Sequence, residues 1–128
     1  KMIEKLFTLA RRLRDPKNGC PWDLKQDFES FKMCLVNEAN EVVEAIDNKN
    51  IANLQEELGD TLFNVIFLIN LAEEKKMFTL NDVVDGIYNK MVHRHPHVFG
   101  DKHAKTAEEA YEIFLQQKKQ TKEQSTSE

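Results

Sequence analysis

The chain has 128 residues, of which 41% are hydrophobic and 31% are charged, and its formal net charge is −4. This length suits one domain with its own core, and the composition is typical of a globular protein. Nothing in this acidic balance suggests the basic face that nucleic-acid binding would need. The longest apolar stretch, at 62–72, is far shorter than the roughly 20 residues of a membrane span. We therefore expect neither a nucleic-acid partner nor a membrane partner.

The periodicity of the apolar residues predicts the elements in chain order. A first helix covers about 3–13 and ends at the breaks Asp15-Pro16 and Asn18-Gly19, after which a loop runs through 20–22. Further apolar stripes predict helices at about 28–47, 51–76, 80–95 and 106–118. Thr79 and Thr106 are the expected N-caps of the last two helices, and Pro96 ends the fourth.

Neither a strand pattern nor a glycine-rich phosphate loop interrupts this series of helices. Short connections between amphipathic helices favour an all-α fold, a bundle of four to five helices with a four-helix core. We predict a single domain over residues 1–119. The polar segment 120–128 is expected to be a disordered tail.

Cys20 and Cys34 are the only cysteines, and they form no CxxC pair. Free thiols in a reducing compartment are therefore the simplest interpretation. Residues 1–13 combine apolar and charged positions, unlike the apolar centre of a signal peptide. These features predict a cytoplasmic protein.

Two pairs of carboxylates are the most informative feature of the chain. Glu38 and Glu41 stand three residues apart on the second predicted helix, and Glu57 and Asp60 stand three apart on the third. Positions i and i+3 project from nearly the same side of a helix. If the two helices pack together, four anions meet and require a cation between them. Oxygen ligands without thiolates favour Mg²⁺, with Mn²⁺ as a substitute, and such ions usually hold substrate phosphates.

Helical-wheel positions place other polar residues beside the predicted core. Glu38 lies at the edge of the apolar stripe, and Glu41 lies further round, on its flank. Asn64 continues the polar stripe of Glu57 and Asp60. On the fourth helix Lys90 and Arg94 stand four residues apart, with Arg94 inside the apolar stripe. We expect these stripes to border one pocket.

Simpler structural roles remain open for the same residues. An acid pair at i,i+3 is usually a solvated helix face, and Lys90 and Arg94 could be surface residues with buried stems. Asn64 suits a buried residue that fixes helix register as well as it suits a ligand. By composition alone, Trp22 favours a core position over a base-stacking one.

Four separated blocks, GCPWDLKQ, NEANEVVEAI, LQEELGDTLFNVIF and KMVHRHPHVFG, resemble the MazG-type nucleoside triphosphate pyrophosphohydrolases. The resemblance covers about residues 6–111. It implies an all-α, MazG-like fold whose active unit is a dimer or a dimer of dimers. It also implies Mg²⁺-dependent hydrolysis of a nucleoside triphosphate to the monophosphate and pyrophosphate, often as removal of unwanted nucleotides.

The resemblance also implies roles for individual residues. The metal ligands would be Glu38, Glu41, Glu57 and Asp60, and the cations that contact the triphosphate would be Lys90 and Arg94. Within the proposed mechanism, Glu41 is our choice of catalytic base for the attacking water. In the same mechanism, Trp22 and Lys25, in the 20–28 loop, are expected to border the base or ribose, and Asn64 is expected to contact substrate.

Two departures from the family pattern bear on substrate and activity. Asn37 stands where the family usually has its first Glu, and Asp27-Phe28 stands where many members carry Thr-His. The alternatives are a narrower relative acting on dUTP, dCTP or phosphoribosyl-ATP, and a non-catalytic helical dimer with a binding or regulatory role.

The third predicted helix is apolar nearly all round between residues 62 and 72. One layer of helices covers one face of such a helix well, so we expect Phe63 and Phe67 to form a second, exposed face. A second subunit would cover that face, which predicts a homo-oligomer.

Overall fold

In the computed structural model, which describes the backbone of residues 2–127 and the side chains of residues 2–121, every regular element is helical. The helices are α1 (Met2–Leu13), α2 (Pro21–Leu24), α3 (Phe28–Asp47), α4 (Ile51–Glu74), α5 (Leu80–His93), α6 (Pro96–Phe99) and α7 (Ala107–Ser127). The five long helices are those that the periodicity predicts, so the all-α prediction is confirmed. The four-residue helices α2 and α6 were not predicted.

Side-chain caps fix the N-termini of α3 and α4, and a tight turn follows the C-terminus of α3. Asp27 accepts a hydrogen bond from the Ser30 backbone N–H at 2.8 Å, and Asn50 accepts one from the Asn53 backbone N–H at 3.1 Å. Between the two helices Lys49 has a φ of 54°, and the Asn50 N–H donates to the Ala45 carbonyl at 3.1 Å. This left-handed turn at the end of α3 makes α3 and α4 neighbours with a very short connection.

The chain forms two compact units, Lys1–Leu80 and Asn81–Glu128. In the first unit, α4 packs against both α1 and α3. Phe31, Phe67 and Leu71 form its buried core, and the rings of Phe31 and Phe67 stack with their centroids 4.2 Å apart. Phe63 is partly buried against the same core. The prediction that Phe63 and Phe67 form an exposed face is therefore wrong.

In the second unit, α6 packs against α7, and α7 continues to Ser127, beyond the predicted end at Lys118. The backbone is therefore helical through most of the segment expected to be a disordered tail, while Glu128 lies outside the described residues. Thr106 caps this helix as predicted, accepting from the Glu109 backbone N–H at 3.1 Å. No helix in the described part of the chain is both long and apolar enough to cross a membrane.

Candidate metal and nucleotide site

Packing of α3 against α4 brings three of the four predicted carboxylates together. Glu38 comes from α3, and Glu57 and Asp60 come from adjacent turns of α4. Each offers one oxygen, and these oxygens all lie within 4.8 Å of one another. Glu38 and Glu57 are partly buried, whereas Asp60 is exposed. The group is therefore partly buried and still accessible to solvent.

Glu57 has the most perturbed electrostatic environment of this group. Partial burial raises the pKa of Glu57, and the neighbouring carboxylates of Asp60, Glu41 and Glu38 raise it further. Its negative charge is therefore disfavoured until a cation compensates it. This is the environment that a divalent ion would stabilise.

Glu41 is not part of the three-carboxylate group. Its side chain is exposed, although its charge contributes to the raised pKa of Glu57. Glu41 is thus near the group without joining it. Its predicted roles as metal ligand and as catalytic base both stay predictions.

Asn64 lies one turn after Asp60 and is buried, with 7% of its surface exposed. Its side-chain N–H donates to the Asp60 carbonyl at 2.8 Å. Its buried Oδ1 has no hydrogen-bond partner among the described residues. Asn64 therefore donates within its own helix, and its buried oxygen is left available as an acceptor.

The donor set fits a hard divalent cation. Three carboxylate oxygens at this spacing, with an amide oxygen one turn away, are the ligand types that Mg²⁺ and Mn²⁺ prefer. Both cysteines are free thiols, and neither belongs to the group. Glu38, Glu57 and Asp60 are the residues that would hold the ion.

The predicted loop residues of the first unit are accessible. Trp22, on α2, is 56% exposed, so the interpretation of Trp22 as a core residue is wrong. Lys25, the C-cap of α2, is exposed as well. Both side chains are available to a ligand. Their contact with the nucleotide stays a prediction.

The predicted cations lie in the second unit. Lys90 is exposed on α5, whereas Arg94, just after α5, is only 8% exposed. The Arg94 guanidinium lies 5.7 Å from the centroid of the Phe114 ring, and its Nε has no hydrogen-bond partner among the described residues. Arg94 is thus not the surface residue of the simpler interpretation. Phosphate binding by both residues stays a prediction.

A further residue, Arg14, contacts this loop without any sequence pattern that predicts it. Its guanidinium donates to the carbonyls of Asp23 and Gln26, beside the loop residues named above, and also pairs with Glu74. These partners lie between 9 and 60 residues away along the chain. Because no local spacing pattern connects them, the sequence offers no signal for this contact.

Residues 26–99 match the family model of the MazG nucleotide pyrophosphohydrolase domain. The chain belongs to this family. The resemblance inferred from four sequence blocks is thereby confirmed. The matched segment contains α3, α4 and α5, and so includes all three clustered carboxylates.

Relatives of known name are longer than this chain. The chain is 43% identical over 107 residues to a nucleoside triphosphate pyrophosphohydrolase of Escherichia coli strain K12, covering 84% of this chain and 41% of the relative. It is 42% identical over 117 residues to the nucleoside triphosphate pyrophosphohydrolase/pyrophosphatase MazG of Thermotoga maritima, covering 91% of this chain and 46% of that protein. The chain thus spans less than half the length of these two relatives.

A solved structure has the same fold over nearly its whole length. The crystal structure of a MazG-related protein from Thermotoga maritima superimposes with a TM-score of 0.75 at 32% sequence identity. The match covers 91% of this chain and 98% of the other. The MazG-like part of the fold prediction is therefore also confirmed.

Proposed function

We propose that this protein hydrolyses nucleoside triphosphates to nucleoside monophosphate and pyrophosphate, using Mg²⁺ or Mn²⁺ held by Glu38, Glu57 and Asp60. The observation that carries the proposal is the meeting of these three carboxylates within 4.8 Å in a chain of the MazG family. We further propose that the protein works in the cytoplasm and removes unwanted nucleotides. The names of the longer relatives support the reaction class.

The chemistry of the site follows from the charges that the residues carry. A divalent ion, when bound, would neutralise the negative charge of the phosphates and the additional charge that builds up at the α-phosphorus. We assign to Glu41, exposed near the ligand group, the role of orienting a water and accepting its proton. Lys90 and Arg94 are assigned to the β- and γ-phosphates, where their charges would stabilise the leaving pyrophosphate.

Product analysis tests the reaction. Canonical and damaged nucleoside triphosphates are incubated with the protein and Mg²⁺, and the products are separated by chromatography. We expect nucleoside monophosphate and pyrophosphate, and no activity in the presence of a chelator. Nucleoside diphosphate and orthophosphate would contradict attack at the α-phosphorus. Activity confined to dUTP or dCTP would favour the narrower relative.

Three variants separate the roles of the acids. Asp60→Asn should abolish both Mn²⁺ binding, measured by calorimetry, and hydrolysis. Glu41→Gln should retain Mn²⁺ binding and lose most of the turnover, because Glu41 lies outside the ligand group. Glu44→Gln, an exposed acid on the same helix, is the control and should change neither. Loss of Mn²⁺ binding in Glu41→Gln would instead make Glu41 a ligand.

A further inference from the structure

Arg14 makes four hydrogen bonds that join three parts of the first unit. Its Nε and Nη2 donate to the two carboxylate oxygens of Glu74 at 3.0 and 2.7 Å, and its Nη1 donates to the carbonyls of Asp23 and Gln26 at 2.6 and 3.0 Å. The side chain is only 13% exposed. A planar, forked donor pairing with a carboxylate gives both direction and strength to such contacts. Arg14 therefore fixes residues 23–26 to the end of α4.

The segment held by Arg14 carries the exposed side chains of Trp22 and Lys25. Its two accepting carbonyls stand on either side of Lys25 in the chain. The Gln26 side chain donates to the Trp22 carbonyl at 2.9 Å and accepts from the Ser30 hydroxyl at 2.9 Å. The segment is thus tied to α3 at one end and to Arg14 along its backbone.

The loop before this segment has little freedom. A Cβ at Gly19 would overlap the carbonyl oxygens of Leu13 and Asp15. The Cys20 N–H donates to the Leu13 carbonyl at 2.8 Å, which closes the loop against the end of α1. The path from Arg14 to Trp22 is therefore short and tightly turned.

The partner on α4 is itself fixed. The Glu74 carboxylate also accepts from the Asn70 side chain at 3.1 Å, and the Arg14 guanidinium lies 5.9 Å from the centroid of the buried Phe67 ring. Arg11, one turn before Arg14, makes a comparable ion pair with Glu73 at 3.1 Å. The Arg11 side chain is 60% exposed, and none of its hydrogen bonds described here reaches residues 23–26. Each arginine thus pairs with a glutamate of α4, Arg14 through two hydrogen bonds and Arg11 through one, and Arg14 also contacts the backbone of residues 23–26.

We propose that Arg14 is a positioning residue for substrate binding, which holds Trp22 and Lys25 in place to contact the base or ribose of the nucleotide. This inference rests on the proposed function. α3 begins at Phe28, ten residues before Glu38, which corresponds to about 15 Å along the helix. The loop is therefore assigned to the part of the substrate remote from the metal ligands. Its ordering should affect substrate binding more than turnover.

The only tryptophan of the chain reports directly on this contact. Time-resolved fluorescence anisotropy of Trp22 is measured in the unmodified protein, in Arg14→Gln and in Arg11→Gln, without substrate. We expect a larger amplitude of fast motion in Arg14→Gln alone. Unchanged anisotropy in Arg14→Gln would overturn the proposal, as would an equal change in Arg11→Gln.

Kinetics of pyrophosphate release test the link to substrate. In Arg14→Gln, KM should rise about tenfold with kcat within about twofold, because uniform binding is lost. Arg11→Gln should match the unmodified protein. Inorganic tripolyphosphate, which lacks a base and ribose, should inhibit all three proteins with the same inhibition constant. A lower kcat at unchanged KM, or a weaker tripolyphosphate inhibition, would overturn the assignment to the base and ribose.

Failure of the two proposals can be told apart. If the unmodified chain hydrolysed no triphosphate, the proposed function would fail, while Trp22 anisotropy would still decide whether Arg14 holds the segment. If Arg14→Gln did not fold, as judged by circular dichroism, Arg14→Lys and Glu74→Gln would replace it. Each removes part of the forked contact, so each should loosen Trp22 relative to Arg11→Gln. An unchanged Trp22 in both would overturn the proposal.

Discussion

At the scale of single residues, Glu57 links the site to the stability of the protein. Burial and the charges of Asp60, Glu41 and Glu38 raise its pKa above the ordinary value of 4.5. Between the ordinary and the raised pKa, Glu57 therefore keeps its proton in the folded chain and loses it in the unfolded chain. It follows that the free energy of unfolding falls as pH rises from the ordinary pKa through the raised one.

This argument predicts the pH dependence of the metal-free protein. Melting temperatures measured in EDTA should show a decline above about pH 4.5 that is absent from Glu57→Gln. The difference between the two proteins isolates Glu57, because the lowered pKa values of Asp15 and Asp27 place their contributions at lower pH in both. Mg²⁺ should stabilise the unmodified protein most at high pH, where the ligands are ionised. Parallel pH profiles for the two proteins would contradict the prediction.

The sequence predicts that Glu38 meets Glu57 and Asp60 for three reasons. Glu57 and Asp60 share one face of α4 at i,i+3, Glu38 borders the apolar stripe of α3, and a short connection makes the two helices neighbours. Glu41 could not be placed in the same way. It lies on the flank of its helix, where the distance to α4 depends on how the two helices cross. Composition alone misplaces Trp22 in the core for a related reason, since its exposure depends on a four-residue helix that has no periodicity to detect.

At the scale of elements, α5 and the residue that follows it present two cations in different environments. Lys90 is exposed, and Arg94 is buried against Phe114. If both bind phosphate, each replacement by Ala should weaken triphosphate binding by roughly 1.5–3 kcal/mol and monophosphate binding much less. Calorimetry with a non-hydrolysable triphosphate and with a monophosphate measures the difference. Equal losses for both ligands would remove these residues from the phosphate site.

Stability distinguishes the same two variants. Arg94→Ala leaves a gap beside Phe114 and should lower the free energy of unfolding by about 1–3 kcal/mol. Lys90→Ala should leave it within about 0.5 kcal/mol, as expected of an exposed position. Lys102→Ala, another exposed lysine of this unit, is the control for charge and should change neither binding nor stability.

Element boundaries were predictable where an apolar stripe begins or ends and not elsewhere. α7 passes the predicted end at Lys118 because glutamines and lysines sustain a helix without an apolar stripe. Between residues 62 and 72, α4 is apolar on nearly every side, so periodicity cannot predict which of its faces packs against α3. The face is determined by the stacking of Phe31 on Phe67, and a helical wheel does not represent the shapes of side chains.

At the scale of the whole molecule, the apolar surface left exposed on α4 differs from the one expected. Leu58, Leu62 and Val65 are exposed at 50, 43 and 38%. Their spacing of i, i+4 and i+7 places them in one stripe along the helix. On α3, Val36 and Val43 are exposed seven residues apart. Contiguous apolar stripes of this kind usually mark an interface.

We therefore predict that the protein self-associates through this stripe of α4, most simply as a two-fold dimer. Leu62→Glu should dissociate it, because an unpaired charge cannot be buried in a dry contact. Activity should fall with it, since Leu62 is two residues from Asp60 on the same helix. Leu9→Glu is the matched control, because Leu9 is 47% exposed on α1, and it should leave both properties unchanged. Phe67→Glu is unsuitable, since Phe67 is fully buried in the core. Light scattering that shows a fully active monomer of the unmodified chain would refute the prediction.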